Sequence, residues 1–392
     1  MQLLIGWLIL LSSVIGHTEL WVLAVNRAHA FRFRSTQLRK FRALHDLAVP
    51  GYPVLLLWLT GLGETSLLRG GTFSEQSSEL RLLLMSTSIG CLPFLIGVIR
   101  WQCVRKSQFS RITSKTKFDV MRLAESSPQP QDIRGPRRHV SQLWPWNEIY
   151  HLEVNTKSVE VQRPRAQTAL KRRLRLVHFS DLHFIGCPGV DYYRFMVRQA
   201  QELHADAYVF TGDLIDDVDL LTTALEVLQP LTKQAPCYFV LGNHDWRFDY
   251  ESIRTQMVAS GWTCVAGRVD IVTLGELRVL FAGSELPWMS DPPPMVHDSR
   301  CDLTVLLSHS PDQHPFAQRC GYDLMLSGHT HGGQVVLPVI GPVYSPSYYG
   351  VSFVSGLFPL GNLTMHVTRG VGAKDPMRWN CCPELTCVEV SC

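Results

Sequence analysis

The chain contains 392 residues, of which 46% are hydrophobic and 18% are charged, and its formal net charge is +3. This length accommodates two or three domains, or one large domain with an appendage. So small a net charge does not indicate the concentrated basic surface of a nucleic-acid-binding protein, and we predict no nucleic-acid partner.

Three apolar runs near the amino terminus predict membrane-spanning helices. They occupy residues 1–25, 47–63 and 82–104, separated by a basic loop at 26–46 and a second loop at 64–81. Each run is near the roughly 20 residues that a membrane helix needs. A secretory signal fits the first run less well because no basic residues precede it. A buried helical core is the other alternative, but the runs lack the amphipathic face expected of such helices.

The charges that flank these runs predict an orientation. Arginine and lysine are frequent in the 26–46 loop and again after residue 100, whereas glutamate outnumbers them in the 64–81 loop. With three spans, both basic segments lie on the same side of the membrane, and such segments mark the cytosolic side. We therefore expect a multi-pass integral membrane protein whose C-terminal domain faces the cytosol. The sequon at Asn362 should then carry no glycan.

A polar, basic linker at 105–146 leads into a domain predicted for residues 147–392. This domain alternates short apolar runs with amphipathic ones, which is typical of an α/β fold. Five of the apolar runs predict buried strands, and each ends in residue types that bind metal ions. Ligands bind beyond the carboxyl ends of the strands in open α/β sheets, so we expect these side chains to lie together. They are Asp181, His183, Asp213, Asn243, His309, His329 and His331.

Seven candidate ligands suit two metal ions better than one, because a single tetrahedral ion uses four. Asp213 is the natural shared ligand, since a carboxylate has two oxygens and a negative charge. The mixture of nitrogen and oxygen donors fits divalent manganese, zinc or iron (which can also be trivalent) and argues against calcium. Gly328, Gly332 and Gly333 would let the backbone turn sharply and approach the metals closely. His178 and His366, in apolar strands, are interpreted as structural histidines.

The cysteine content favours free thiols over a disulfide framework. The eleven cysteines lie mostly far apart in the sequence, without metal-ligand spacing. Four of them crowd into the C-terminal tail, at Cys381, Cys382, Cys387 and Cys392. A zinc site there is a minor alternative, because the adjacent Cys381 and Cys382 cannot easily both turn inward.

The ordered motifs of this domain resemble those of the calcineurin-like metallophosphoesterase superfamily. The motifs are Asp181-x-His183, Gly212-Asp213, Gly242-Asn243-His244-Asp245, His309 and Gly328-His329-x-His331. The resemblance runs from about Leu174 to the C-terminus. Because three apolar runs precede this region, the chain resembles the membrane-attached branch of the superfamily. It implies a four-layer α/β/β/α sandwich in which two central sheets are flanked by helices.

The resemblance also implies roles for individual residues. One metal would be held by Asp181, His183, Asp213 and His331, and the other by Asp213, Asn243, His309 and His329. His244 would not be a ligand but a hydrogen-bond donor beside the metals, and Asp245 would orient it.

The activity implied is hydrolysis of a phosphate ester, with a phosphodiester favoured, by attack of a hydroxide that bridges two cations. His244 would protonate the leaving oxygen or stabilise the developing charge. A phosphomonoesterase and a catalytically silent membrane scaffold remain alternatives, although a silent domain would be expected to have lost ligands. Because the basic loop from Arg27 to Arg42 could attract anionic headgroups, the substrate could be a lipid or another group at the membrane surface.

Overall fold

The computed structural model describes the chain except for residues 34, 62, 64, 110, 127–131, 137–139, 162–172, 295–300 and 392. The chain divides into two compact units. The first, here called the helical unit, comprises Met1–Cys103 and Val339–Ser352. The second, the sheet unit, comprises Val104–Pro338 and Phe353–Cys392.

Four helices begin the chain: α1 (Gln2–His29), α2 (Ser35–Thr60), α3 (Ser78–Ser88) and α4 (Cys91–Phe109). Three segments of them are long and apolar enough to cross a membrane, namely Gln2–His29, Thr36–Thr60 and Ser78–Cys103. α2 begins twelve residues before the predicted boundary at residue 47, because the polar start of the helix carries no hydrophobic signal. The third segment joins α3 and α4 across Ile89 and Gly90.

Small residues and hydroxyl groups bring the helices of the first unit together. A Cβ atom added to Gly16 would lie 2.1 Å from the carbonyl oxygen of Thr87, and one on Gly90 would lie 2.0 Å from that of Gly16. The side-chain oxygens of Ser13, Tyr52 and Thr87 lie 2.7 to 2.9 Å from one another. Close backbone approach at glycine and hydrogen bonds between helices are typical of helices that pack within membranes.

The sheet unit contains two sheets over the residues that the structure describes. The helices are α5 (Val120–Glu125), α6 (Val190–Glu202), α7 (Leu221–Thr232), α8 (Tyr250–Ala259) and α9 (His314–Arg319). The strands are β1 (Ile112–Asp119), β2 (His151–Glu160), β3 (Arg173–Phe179), β4 (Ala207–Phe210), β5 (Cys237–Phe239), β6 (Thr263–Cys264), β7 (Val269–Leu274), β8 (Leu277–Ser284), β9 (Leu303–Ser308), β10 (Leu324–Ser327), β11 (Val336–Leu337), β12 (Gly341–Pro342), β13 (Gly356–Leu360), β14 (Leu363–Val367) and β15 (Glu384–Ser391). β12 belongs to the helical unit.

One sheet has the strand order β1-β2-β15-β3-β4-β5-β6, and the other has the order β13-β14-β10-β9-β8-β7. One hydrophobic cluster combines residues of both sheets, such as Leu176 and Phe281, and therefore lies between them. A second cluster joins the first sheet to α6, α7 and α8, and a third joins the second sheet to α9. The mixed α/β fold with helices outside two central sheets is thus confirmed.

Parallel pairing aligns the strand ends that carry the candidate ligands. β3, β4 and β5 are parallel, and their last residues Phe179, Phe210 and Phe239 are paired in register. β8, β9 and β10 are parallel as well, with Ser308 opposite both Ser284 and Ser327. The chain leaves both sheets at one edge, so the polar residues that follow these strands meet there.

Candidate metal centre

The first group of candidate ligands follows β3, β4 and β10. Asp181, His183, Asp213 and His331 bring ligand atoms within 4.8 Å of one another. His183 Nε2 lies 3.1 Å from His331 Nε2 and 3.5 Å from Asp213 Oδ2. His331 Nε2 lies 3.4 Å from Asp181 Oδ1. Two imidazole nitrogens and two carboxylates that converge in this way form a donor set suited to a transition-metal cation.

The second group shares Asp213 with the first. Ligand atoms of Asp213, His309 and His329 lie within 4.8 Å of one another. His309 Nε2 lies 3.4 Å from Asp213 Oδ2, 3.0 Å from Asn243 Oδ1 and 3.1 Å from His329 Nδ1. The structure therefore brings all seven sequence-derived candidates together, in two groups that meet at one carboxylate.

Asp213 joins the two groups through one oxygen rather than two. Its Oδ2 faces both His183 and His309, while its Oδ1 accepts a hydrogen bond from the backbone N–H of His244 at 2.8 Å. Only one oxygen of this carboxylate is therefore available to both groups, although two oxygens were the reason for expecting Asp213 to be shared. The backbone contact holds the carboxylate so that a single oxygen points between the two groups.

The backbone at the site is strained. Asp181, His183, Asp213, His329 and His331 have φ angles of 56°, 47°, 60°, 71° and 51°. Residues other than glycine rarely adopt this left-handed conformation, which typically costs about 1 kcal/mol or more and is concentrated at functional sites. The strain turns five side chains back toward one point at the ends of the strands.

Two glycines are required by close approach of the ligands. A Cβ atom on Gly328 would lie 2.4 Å from Asp181 Oδ2, as expected for a backbone that approaches the metals. Gly242, which the sequence placed in a motif without assigning it this role, would place a Cβ atom 2.2 Å from Asp213 Oδ1. Gly332 differs from the expectation, because a Cβ atom there would instead meet the side chains of Arg369 and Cys381.

Two of the candidate histidine ligands, His309 and His183, are fixed through the ring nitrogens that face away from the centre. His309 Nδ1 donates to the carbonyl oxygen of Thr211 at 2.7 Å, and His183 Nδ1 lies 2.7 Å from Asp216 Oδ2. A proton on Nδ1 leaves the lone pair of Nε2 free for a cation. These contacts and the mixed donor set show that the residues fit the two-metal arrangement implied by the sequence.

Asp216, not Asp245, holds the ring of His244. His244 Nδ1 bonds to Asp216 Oδ1, so the same carboxylate contacts His183 through its other oxygen. The expectation that Asp245 orients His244 is wrong, because its oxygens accept from backbone N–H groups instead. These donors are Asp213, Leu214, Ile215 and Gly242, at 2.9 to 3.3 Å. Asp245 therefore shapes the loops that carry Asp213 and Asn243.

The electrostatics of the site keep two buried carboxylates, Asp213 and Asp216, ionised. Burial raises the pKa of Asp216, but the charge and hydrogen bonds of His183 and His244 outweigh it and hold this pKa below its usual range. Burial opposes ionisation of Asp213 too, and the neighbouring His309 and His244 lower its pKa well below the usual value. Burial lowers the pKa of His244 to about 4, against the effect of both carboxylates. Burial opposes a positive charge on His309, but Asp213 outweighs it and raises this pKa to about 9. Buried anions at Asp213 and Asp216 thus favour positive charge at the site.

Three residues near the site were missed by sequence reasoning. Asp216 follows Asp213 by three residues, so a second acid in the same loop was the available signal. Arg378 is fully buried and donates through Nη1 to the carbonyl oxygen of His331 at 2.7 Å. The Trp288 ring lies 5.0 Å from the His329 ring and 5.7 Å from the His309 ring. Neither Arg378 nor Trp288 has a local sequence pattern that indicates this position.

The C-terminal cysteines make no metal-type group among the described residues. Cys381 and Cys382 are buried as free thiols, and Cys381 Sγ lies 3.3 Å from the carbonyl oxygen of His331. Cys392 lies outside the described residues. Cys381 thus packs behind the loop of His331.

The same residues carry a similarity to known proteins. Residues 174–333 match the family described as Calcineurin-like phosphoesterase. Over 224 residues the chain is 29% identical to Phosphodiesterase YaeI of Escherichia coli, covering 55% of this chain and 82% of that protein. Two relatives named transmembrane protein with metallophosphoesterase domain are 29% identical over 262 residues in Bos taurus and 30% identical over 226 residues in Danio rerio.

These matches cover 59% of this chain and 56% of the Bos taurus protein, and 51% of this chain and 48% of the Danio rerio protein. The chain therefore spans about half the length of these two relatives. Together with the clustered aspartates and histidines, the family match leads to one conclusion. The chain carries a calcineurin-like metallophosphoesterase domain and is a metal-dependent phosphoric ester hydrolase.

Proposed function

We propose that the chain is a membrane-anchored phosphodiesterase that works with two divalent cations. The observation that carries the proposal is the position of Asp213 Oδ2, which lies 3.5 Å from His183 Nε2 and 3.4 Å from His309 Nε2. One oxygen shared by two groups of ligands is the arrangement expected of a dinuclear site. The name of the Escherichia coli relative supports a diester as the substrate.

The two cations would be held by different residues. Asp181, His183, Asp213 and His331 would hold one, and Asp213, Asn243, His309 and His329 would hold the other. When bound, cations at such a site lower the pKa of water and neutralise charge on a phosphoryl group. The identity of the metal, whether manganese, iron or zinc, follows from availability as much as from this donor set.

His244 and Asp216 form the proposed acid and its partner. The Asp216 carboxylate accepts from His244 Nδ1 and is held as an anion. The Asp216 anion fixes the imidazole through Nδ1 and opposes the effect of burial, which lowers the pKa of His244 to about 4. Once protonated at Nε2, the ring would deliver that proton to a leaving oxygen. A positioned acid of this kind usually contributes about 10²–10⁴-fold to the rate. His244 is thus assigned as the catalytic acid, and Asp216 as its positioning residue.

The helical unit would anchor the enzyme in a membrane. Its three apolar segments have mean hydropathies of 1.8, 1.2 and 2.2. The large apolar side chains exposed along them include Leu8, Leu57 and Ile96. Such exposure is costly in water but favourable in lipid. The basic loops support a cytosolic location for the C-terminal end of the third span and for the sheet unit that follows it.

The test is turnover by the full-length chain in detergent after removal of bound metal. Manganese, iron or zinc is added back, and hydrolysis of bis(4-nitrophenyl) phosphate is compared with that of 4-nitrophenyl phosphate. We expect metal-dependent hydrolysis that favours the diester and that is lost in the double variant Asp213→Ala, His329→Ala. A preference for the monoester would reassign the chain as a phosphatase, and a folded chain without turnover of either ester would favour the scaffold.

A further inference from the structure

The segment Val339–Ser352, which follows the metal-site loop in the sequence, belongs to the helical unit and packs onto its helices. Within that unit, residues 339–352 contact the C-terminal parts of α1 and α4. The N–H of Ser345 donates to Asn26 Oδ1 at 3.1 Å, and both residues are buried. The side-chain amide of Gln102 donates to the carbonyl oxygen of Val339.

A further contact makes this packing close. A Cβ atom on Gly341, whose φ is +93°, would lie 2.4 Å from the indole of Trp101. Gly341 thus lets the backbone of the segment lie directly on the ring. The buried amide of Asn26 would be unfavourable in an apolar helix without its partner in the segment. The segment is therefore a built part of the helical unit.

The opposite side of this segment exposes large apolar and aromatic side chains. Val339 is 72% exposed, Tyr348 49% and Tyr349 37%, and the neighbouring Phe31 and Phe33 are 49% and 42% exposed. We call the four aromatic residues among them the aromatic patch. The Phe31 ring lies 6.2 Å from that of Tyr348, so residues from the end of α1 and from the segment form one surface.

Arginine accompanies the patch. The Arg27 guanidinium lies 5.9 Å from the centre of the Tyr348 ring, and both Arg27 and Arg32 are exposed. A cation over an aromatic face is a favourable contact that leaves the guanidinium accessible. The surface therefore combines apolar rings, phenolic hydroxyls and positive charge.

The position of the patch relative to the apolar segments indicates its partner. The segments Gln2–His29 and Ser78–Cys103 end at the residues that hold the loop, such as Asn26 and Trp101. The patch thus lies at the level where those helices would leave the hydrocarbon. Tyrosine is enriched at that level, and arginine there attracts the anionic headgroups of the cytosolic leaflet.

From this geometry we infer that the aromatic patch is a membrane-binding surface that lies in the headgroup layer of an anionic phospholipid bilayer. The inference rests on the proposed membrane anchoring and extends it, because it adds a segment of the catalytic chain to the anchor. The segment begins at Val339, eight residues after His331 in the sequence, so it follows the loop that carries the last candidate ligand. Apolar patches of this kind mark membrane or protein contact sites, and the continuity with the spans favours the membrane.

Photocrosslinking of the full-length chain tests this inference. The photoreactive residue p-benzoylphenylalanine replaces Tyr348 in protein reconstituted into vesicles of phosphatidylcholine and phosphatidylserine, and mass spectrometry detects covalent adducts. Leu57 in α2, 53% exposed, is the positive control for lipid contact. Val258 in α8, 50% exposed, is the matched position in the sheet unit. Val339, 72% exposed, serves as a second position in the same segment.

We expect a mass increase of one phospholipid at positions 348, 339 and 57 and no such adduct at 258. Lipid adducts at 57 without any at 348 or 339 would overturn the inference while leaving the membrane anchoring intact. Adducts of 348 with a protein would overturn it as well, in favour of a protein partner. Absence of lipid adducts at 57 would instead contradict the membrane anchoring itself.

Discussion

At the scale of single residues, Asp216 and Asp245 have different hydrogen-bond partners and therefore different roles at the site. Asp216 contacts His183 and His244, whereas Asp245 accepts from four backbone N–H groups. Asp216 thus orients two histidine side chains, whereas Asp245 holds the backbone of two loops. Substitutions at the two positions should therefore have different consequences, one in activity and the other in stability.

Asp216→Asn should reduce turnover with little loss of stability. An amide has one acceptor oxygen and a donor NH₂ group, so it cannot accept from both His183 and His244 as the carboxylate does. Loss of a group that orients a metal ligand typically costs about 10–100-fold in metal affinity or activity. Steady-state kinetics and thermal unfolding measure the two effects. Asp219→Asn, at an exposed position in the following turn, is the control and should behave as the wild type.

Asp245→Asn should destabilise the sheet unit. Both carboxylate oxygens accept two N–H groups each, and replacing one of them by NH₂ leaves two buried donors facing a third. Each buried group left without a partner costs about 1–3 kcal/mol. Chemical or thermal unfolding of the full-length chain would show the loss. Unchanged unfolding would mean that the N–H groups do not depend on Asp245.

At the scale of elements, the strand ends could be predicted from the sequence because each is a short apolar run followed by polar residues. β3, β4, β5, β9 and β10 all follow this pattern, and their parallel pairing explains why the predicted ligands meet. Asp216 and Arg378 could not be assigned in this way, since their partners come from distant parts of the chain. The predicted second span likewise began later than helix α2 does, because the first turns of that helix are polar.

A buried charged network connects the elements of the two sheets. Lys157 of β2 lies 2.6 Å from Glu384 Oε1 of β15 and 3.0 Å from His366 Nε2 of β14. His366 Nδ1 lies 2.9 Å from His178 Nδ1 of β3, whose other nitrogen lies 2.9 Å from Thr211 Oγ1. Both histidines are thus buried with partners at each ring nitrogen, in agreement with their interpretation as structural residues.

Glu384→Gln should destabilise the chain strongly at neutral pH. It removes the carboxylate that pairs with the buried Lys157 at 2.6 Å, and breaking a buried ion pair costs about 3–5 kcal/mol. Burial raises the pKa of Glu384, but Arg369 and Lys157 outweigh it and lower this pKa well below the usual value. Because the folded-state pKa is depressed, the stabilisation is present above the unfolded-state pKa and is lost as pH falls through the folded-state pKa.

The pH dependence of unfolding distinguishes loss of the Glu384 ion pair from a loss of stability that has another cause. Unfolding of the wild type and of Glu384→Gln is measured from pH 7 downwards, with the exposed Glu226→Gln as the control. The difference between wild type and Glu384→Gln should narrow at acid pH and vanish once Glu384 is protonated in the folded wild type. A difference that is independent of pH would argue against an electrostatic origin.

At the scale of the whole molecule, the chain combines an apolar helical unit with the domain of a metal-dependent hydrolase. The fold class followed from the alternation of apolar and amphipathic runs, and the family followed from the order of five motifs. The orientation rests on the charges that flank the helices. Asn362 of the sheet unit lies in the turn between β13 and β14, where a glycan could be attached if the unit were outside the cytosol.

The full-length chain expressed in cells should therefore show no mass change on treatment with an N-glycosidase. The same unit should be cleaved by protease added to the cytosolic side of sealed membranes and protected when protease is added to the other side. A glycan at Asn362 would reverse the proposed orientation. It would also place the free thiols of the sheet unit in an oxidising compartment, where so many cysteines would be expected to form disulfides.

The central claim is that Asp213 joins two cation sites, and metal stoichiometry tests it most directly. Metal-free full-length chain is titrated with manganese, and bound ions are counted while electron paramagnetic resonance reports coupling between them. We expect two equivalents per chain, spin-coupled, with diester hydrolysis rising as the second binds, and loss of the coupled signal in Asp213→Ala. A folded chain that reaches full activity with one uncoupled ion would contradict the account.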